Sequence, residues 1–195
     1  RDSLNEALQE YTIGDPNLPK VDIGPIINKN SKDRLLKHIS ALKKSAKRTI
    51  EHHHKQDKGN LFITPIVFEI DSINQIDEEN FGPILHFIRY KNENLQQVID
   101  EINDTGYGLT MGVHSRIVSK ARRIFEAANV GNFYFNRDIV GAVVGVQPFG
   151  GQGLSGTGPK AGGPGYLYNF VTEKTYTDNV MATGGNIELL NKNAM

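Results

Sequence analysis

With 195 residues, 38% of them hydrophobic and 23% charged, the chain suits a soluble globular fold, either one ordinary domain or a share of a larger one. Lysine plus arginine and aspartate plus glutamate balance at 22 each, so no global field draws nucleic acid or an anionic membrane surface. Cysteine is absent and no stretch approaches the roughly 20 apolar residues of a membrane span, which excludes a disulfide framework, thiolate metal sites and a transmembrane helix.

The opening run RDSLNEALQEY reads as a helix. It starts at Arg1 with neither a methionine nor a secretory signal, as a cut inside a larger protein would. The glycine and prolines of GDPNLP, residues 14–19, mark a turn. From Ser31 to about Arg48, Leu35, Leu36, Ile39 and Leu42 recur at helical spacing with lysines on the other face. The polar run EHHHKQDKGN follows. Its histidines, His52 to His54, are adjacent and splay apart, without a carboxylate or cysteine at ligand spacing, so the run reads as a solvated loop.

LFITPIVFEI, Leu61 to Ile70, is β-rich, with Pro65 pointing to an edge strand or a bulge. A second strand is expected at about Ile84 to Tyr90, then a helix from near Asn92, then a glycine-flanked strand at about Leu109 to His114. The next helix, about Ile117 to Ala128, carries Ile124 and Phe125 toward a core, and the strand GNFYFN runs on into a glycine-rich segment. The last strand-like run, YLYNFVTEKTYTDNV, has no helix after it and so pairs elsewhere. Strands alternating with helices of about ten residues give an α/β layered domain on a largely parallel sheet.

Two stretches carry candidate chemistry. In EENFGPIL, Glu78 to Leu85, two carboxylates precede a Phe-Gly-Pro turn into a strand, where loops build sites. A carboxylate accepts two hydrogen bonds at once, which suits the paired hydroxyls of a ribose; a merely solvated acidic turn is the alternative. The other stretch is GAVVGVQPFGGQGLSGTGPKAGGPG, residues 141–165. Its valines before a Pro-Phe step are wrong for a flexible linker. It is not a phosphate-binding loop either, because Lys160 lies outside a Gly-Lys-Ser/Thr step and no clear helix follows directly. Glycines at 150, 151, 153 and 156 instead bring the backbone close to whatever lies against it, a ligand or simply another turn.

The order FGP, GN-x-x-x-N, PFGG and SGTG resembles the C-terminal part of an aldehyde dehydrogenase catalytic domain. VGVQPFGG followed by LSGTGPKAGGPGYLYNFVTEKT is similar to the L-glutamate γ-semialdehyde (pyrroline-5-carboxylate) dehydrogenases, and the tail TYTDNVMATGGNIELL to the bifunctional proline utilization A proteins. The resemblance implies an α/β aldehyde dehydrogenase fold over residues 1–165, an oligomerisation strand over 166–180 and a tail over 181–195. It implies a cytoplasmic homo-oligomer that uses NAD to oxidise glutamate semialdehyde in proline catabolism, with FAD only on a separate proline dehydrogenase domain.

By the same resemblance, Glu79 binds the nicotinamide ribose and Phe81 lies beside the nicotinamide. The amides of Gly141 and Ala142 hold the substrate carboxylate, Phe149 packs on its aliphatic part, and Asn136 is structural rather than catalytic. No catalytic residue is expected here. The family's nucleophilic cysteine, its general-base glutamate, its oxyanion asparagine and its Rossmann domain would precede Arg1, which leaves this fragment inactive alone. Two other readings stay open: an enzyme for a different acidic semialdehyde, and a non-catalytic assembly module.

Overall fold

The structure is a computed structural model that describes residues 2–53 and 61–179. It divides into two compact units, Arg1–Thr105 and Gly106–Met195. The first contains α1 (Asp2–Glu10), α2 (Lys29–Ser45), β1 (Arg48–Glu51), β2 (Ile66–Ile70), β3 (Ile84–Ile88) and α3 (Leu95–Asp104). Helix α2 begins where the Asn28 side chain accepts from the Ser31 amide at 2.8 Å, satisfying one of the amides a helix start leaves unpaired. Its residues Leu35, Ile39 and Leu42 are buried with Ile63, Ile66, Phe68 and Ile70 in one core cluster. Val67, on the opposite pleat of β2, is buried as well.

Strand β2 is therefore covered on both faces, and it is also the middle of a three-stranded sheet. It pairs antiparallel with β1 and parallel with β3. This corrects the edge-strand expectation drawn from Pro65. The proline sits just before the first strand residue, where a missing N–H costs the ladder nothing, and its carbonyl accepts from the His52 amide at 3.2 Å. Helix α2 also stops short of its expected end, because Arg48 opens β1 against Glu69.

A further correction concerns the histidine run. His52 is only 5% exposed, with its Nε2 3.1 Å from the Tyr11 carbonyl. His53 stacks on it at 4.3 Å between ring centroids, and the His53 amide donates to Gln9 Oε1 at 2.7 Å. Placement at the end of a paired strand thus pulls this polar residue inward. His54 lies outside the described residues.

The second unit contains β4 (Tyr107–Gly108), β5 (Thr110–Val113), α4 (Val118–Ala127), β6 (Asn132–Phe135) and β7 (Gln152–Gly153). Strands β5 and β6 pair in parallel through the α4 crossover, from Thr110 opposite Asn132 to Val113 opposite Phe135. Strands β4 and β7 pair antiparallel, so each unit holds one parallel pair beside an antiparallel one. Ala121 and Ile124 of α4 are buried. Phe125, expected in the core, is 57% exposed and meets Phe133 edge-to-face at 5.3 Å between ring centroids; helical geometry turns it about 100° from Ile124.

The strand expected over residues 166–180 is absent among the described residues. Tyr166–Phe170 is a 3₁₀ helix, and 171–179 has no regular structure. With no strand paired to it among the described residues, the backbone turns on local bonds, Tyr166 N to Gly163 O at 3.1 Å and Tyr168 N to Gly165 O at 3.2 Å. Val180 and the tail over 181–195 lie outside the described residues. No described helix is long and apolar enough to cross a membrane.

Candidate functional site

In the first unit, the acidic turn before β3 is shaped by Gly82. A Cβ there would come within 2.7 Å of Leu35 Cδ1, so the turn settles directly onto α2. The two carboxylates then part company. Glu78 accepts from Arg34 Nη2 at 2.6 Å, and that hydrogen bond, with the attendant charge attraction, holds its carboxyl below the usual range. Glu79 is exposed and has no partner among the described residues, and Phe81, two residues on, is 79% exposed. The turn therefore presents a free carboxylate and an open aromatic face.

Below the turn lies a pair that sequence reasoning missed. His38 Nε2 of α2 and His86 Nε2 of β3 are 2.9 Å apart, the rings meeting edge-on. Burial lowers both, with the neighbouring His38 adding to the effect at His86, which falls to about 4; for His38, Asp77 and Glu78 pull the other way. A signal for His86 did exist. It alternates with Ile84 and Ile88, whose side chains pack on the core cluster.

In the second unit the glycine-rich segment folds against the start of β6. A Cβ on Gly131 would strike the Gly150 carbonyl, and one on Gly151 the Ser155 carbonyl. Phe149 forms an antiparallel bridge with Ala161, its N–H donating at 3.0 Å and its carbonyl accepting at 2.9 Å. Phe149 lines an open cleft of about 390 Å³, with Leu109, Tyr166 and the glycine turns.

Ahead of Phe149, Gly141 takes a left-handed φ of 64°, and its carbonyl accepts from the Tyr134 hydroxyl at 2.7 Å. The Val143 amide donates to Gln147 Oε1 at 3.2 Å, an oxygen that Arg137 also reaches at 3.3 Å. The amides of Gly141 and Ala142 have no acceptor among the described residues. Asn136, at φ 55°, spends its side chain on Ser115, accepting from its amide at 2.9 Å and donating to its carbonyl at 3.0 Å. Gly141, Ala142 and Phe149 thus share one unit while Glu79 and Phe81 share the other.

The motif-bearing segments lie within a match to the Aldehyde dehydrogenase family profile that runs over residues 1–176. The chain belongs to the aldehyde dehydrogenase family. Within that family it is 42% identical over 177 residues to the bifunctional protein PutA of Klebsiella aerogenes, covering 88% of this chain and 14% of that one. A crystal structure of a Bradyrhizobium japonicum proline utilization A variant superposes with a TM-score of 0.81 at 49% identity, over 94% of this chain and 19% of that chain. A 1-pyrroline-5-carboxylate dehydrogenase from Thermus with bound NAD superposes with a TM-score of 0.73 at 37% identity, over 87% and 32%. The chain thus spans only a small part of each relative's length.

The histidine pair makes stability depend on pH. Because His86 titrates near 4 when folded, against about 6.5 for an ordinary histidine, the unfolded chain binds more protons between those values. Stability should fall as pH drops from about 6.5 toward 4 and show no further loss from this group below that. Replacing His86 with leucine should flatten that part of the profile in thermal melts taken at successive pH values. An unchanged slope would show that the pair does not carry it.

Proposed function

We propose that this chain is part of a cytoplasmic NAD-dependent dehydrogenase that oxidises L-glutamate γ-semialdehyde to glutamate in proline catabolism. The observation that carries the reading is the pair of unclaimed amides at Gly141 and Ala142, beside a Val143 amide already taken by Gln147. Successive amides of this kind, with one residue in the left-handed region, suit a carboxylate. The substrate carboxylate would accept from both, and Phe149 would cover its methylenes and keep water from the aldehyde end. The names of the relatives support the substrate, and the bound NAD of the Thermus relative supports the cofactor.

Glu79 and Phe81 fit the nicotinamide end of NAD. The free carboxylate can accept from both ribose hydroxyls, and the exposed ring offers a flat apolar face. When bound, NAD supplies the hydride acceptor. FAD would serve only a separate proline dehydrogenase domain of a longer bifunctional chain. The chain contains no cysteine, so the nucleophile of the reaction would come from outside these residues, which we read as the C-terminal part of the catalytic domain.

From Tyr166 onward we propose an oligomerisation strand that forms only against a second subunit. Leu167, Tyr168, Phe170, Val171 and Tyr176 are all exposed, an apolar run that association would cover.

In the full-length enzyme, Ala142→Pro removes one donor and fixes φ near −65°. A hydrogen bond to a charged group is worth roughly 1.5–3 kcal/mol, so kcat/KM for glutamate semialdehyde should fall about ten- to a hundred-fold. A simple aliphatic aldehyde of similar length should lose much less; equal losses would mean the loop is merely distorted. The isolated chain should produce no NADH from NAD and glutamate semialdehyde, and steady turnover above a buffer control would refute the assignment of the nucleophile elsewhere. Light scattering should find the chain associating and a version ending at Pro164 not. Two identical monomers would remove the assembly role.

A further inference from the structure

The geometry points to Asn132 as a positioning residue for Phe149. This inference deepens the functional reading above and rests on it for its consequence in the substrate site. Asn132 is 8% exposed at the start of β6, where its amide donates to the Leu109 carbonyl at 3.0 Å. Its side chain does not belong to the sheet. Nδ2 donates to the Pro148 carbonyl at 2.9 Å, and Oδ1 accepts from the Gly150 amide at 3.1 Å.

Those two partners flank Phe149. The N–H and C=O of Phe149 itself both pair with Ala161, as the backbone of one antiparallel partner. In an extended segment the C=O and N–H of one peptide group point opposite ways, so the Pro148 C=O and the Gly150 N–H, the far ends of the two peptide groups around the Phe149 Cα, face the other edge. Here they meet the carboxamide of Asn132, which offers one donor and one acceptor as a neighbouring peptide would. Residues 148–150 are thus held from both edges, by a backbone bridge on one and by a single buried side chain on the other. Lys160, next to Ala161, donates to the Gly131 carbonyl and ties the bridge back to the residue before Asn132.

The consequence is specific. The direction of the Phe149 Cα–Cβ bond, from which the ring projects, follows from the placement of the two peptide groups around it, and those are held by four hydrogen bonds, two of which come from Asn132. Serine at this position cannot span both partners, and leucine of similar volume offers neither. Loss of the carboxamide frees the 148–150 segment on one edge and lets the ring leave the position in which it would cover the substrate chain.

The experiment uses the full-length enzyme with Asn132→Ser and Asn132→Leu, each alone and combined with Phe149→Ala. A fluorinated phenylalanine at position 149 reports the ring by ¹⁹F NMR. The expected result is a shifted or broadened fluorine resonance in both Asn132 variants. With it, kcat/KM for glutamate semialdehyde should fall on the order of ten-fold, about what one or two neutral hydrogen bonds are worth, while kcat/KM for acetaldehyde holds within about two-fold. In the Phe149→Ala background the Asn132 changes should add nearly nothing, because they act through the ring.

An unchanged fluorine resonance, or equal losses for both aldehydes, overturns the positioning role. A moved resonance, with Phe149→Ala itself leaving glutamate semialdehyde untouched, upholds Asn132 as the support of Phe149 and instead refutes the substrate-wall reading. If the leucine variant does not fold, the serine variant decides, since it keeps a polar group at the buried position.

Discussion

The carbonyl of Gly150 fills the space that a side chain on Gly131 would need. That contact lets the strand-opening residues 131–132 and the turn at 148–150 lie backbone against backbone, with Asn132 bonded to both sides of Phe149. Much in the second unit follows from the close approach. Gly151 and Ser155, and Gly156 and Gly151, repeat it a few residues on, closing the chain into a compact turn under the Phe149 cleft. Methyl groups would push these backbones apart by van der Waals exclusion, and hydrogen bonds of 2.9–3.1 Å cannot stretch to follow.

Within each unit, neighbouring polar groups are sorted into engaged and unengaged. Gln147 takes the Val143 amide and leaves those of Gly141 and Ala142 without an acceptor among the described residues. Arg34 takes Glu78 and leaves Glu79 without a partner among the described residues. In each case a neighbouring group is spent on structure while the groups beside it have no partner among the described residues, which is the physical basis of the functional proposal. A half-buried amide without a partner carries a desolvation cost that an incoming carboxylate would relieve.

Where sequence and structure parted, a long-range contact overrode a local preference. Pro65 suggested an edge strand, yet the chain after it became the central strand because Ile66, Phe68 and Ile70 meet the apolar face of α2. His52 looked like a solvated loop residue, and its position at the end of β1 buried it against Tyr11. The expected strand after Gly165 gave way to a 3₁₀ turn, since a strand needs a neighbouring edge and none pairs with it among the described residues. His38 and His86, 48 residues apart, were invisible as a pair.

By itself, the order of residues marked the principal helix, through the 3.6-residue spacing of Leu35, Ile39 and Leu42, and the strands of the runs IVFEI and NFYF, though not β1 or the 3₁₀ turn after Gly165. The order FGP, GN-x-x-x-N, PFGG and SGTG was enough to identify the family. Tertiary structure alone decided which carboxylate of the Glu78–Glu79 pair stays free, which amides of the 141–143 run are spent, and that Asn132 braces Phe149. Local pattern reports how a segment buries its own apolar atoms. The fate of a polar group depends on which distant donor or acceptor the fold brings within about 3 Å, and sequence spacing carries no record of that distance.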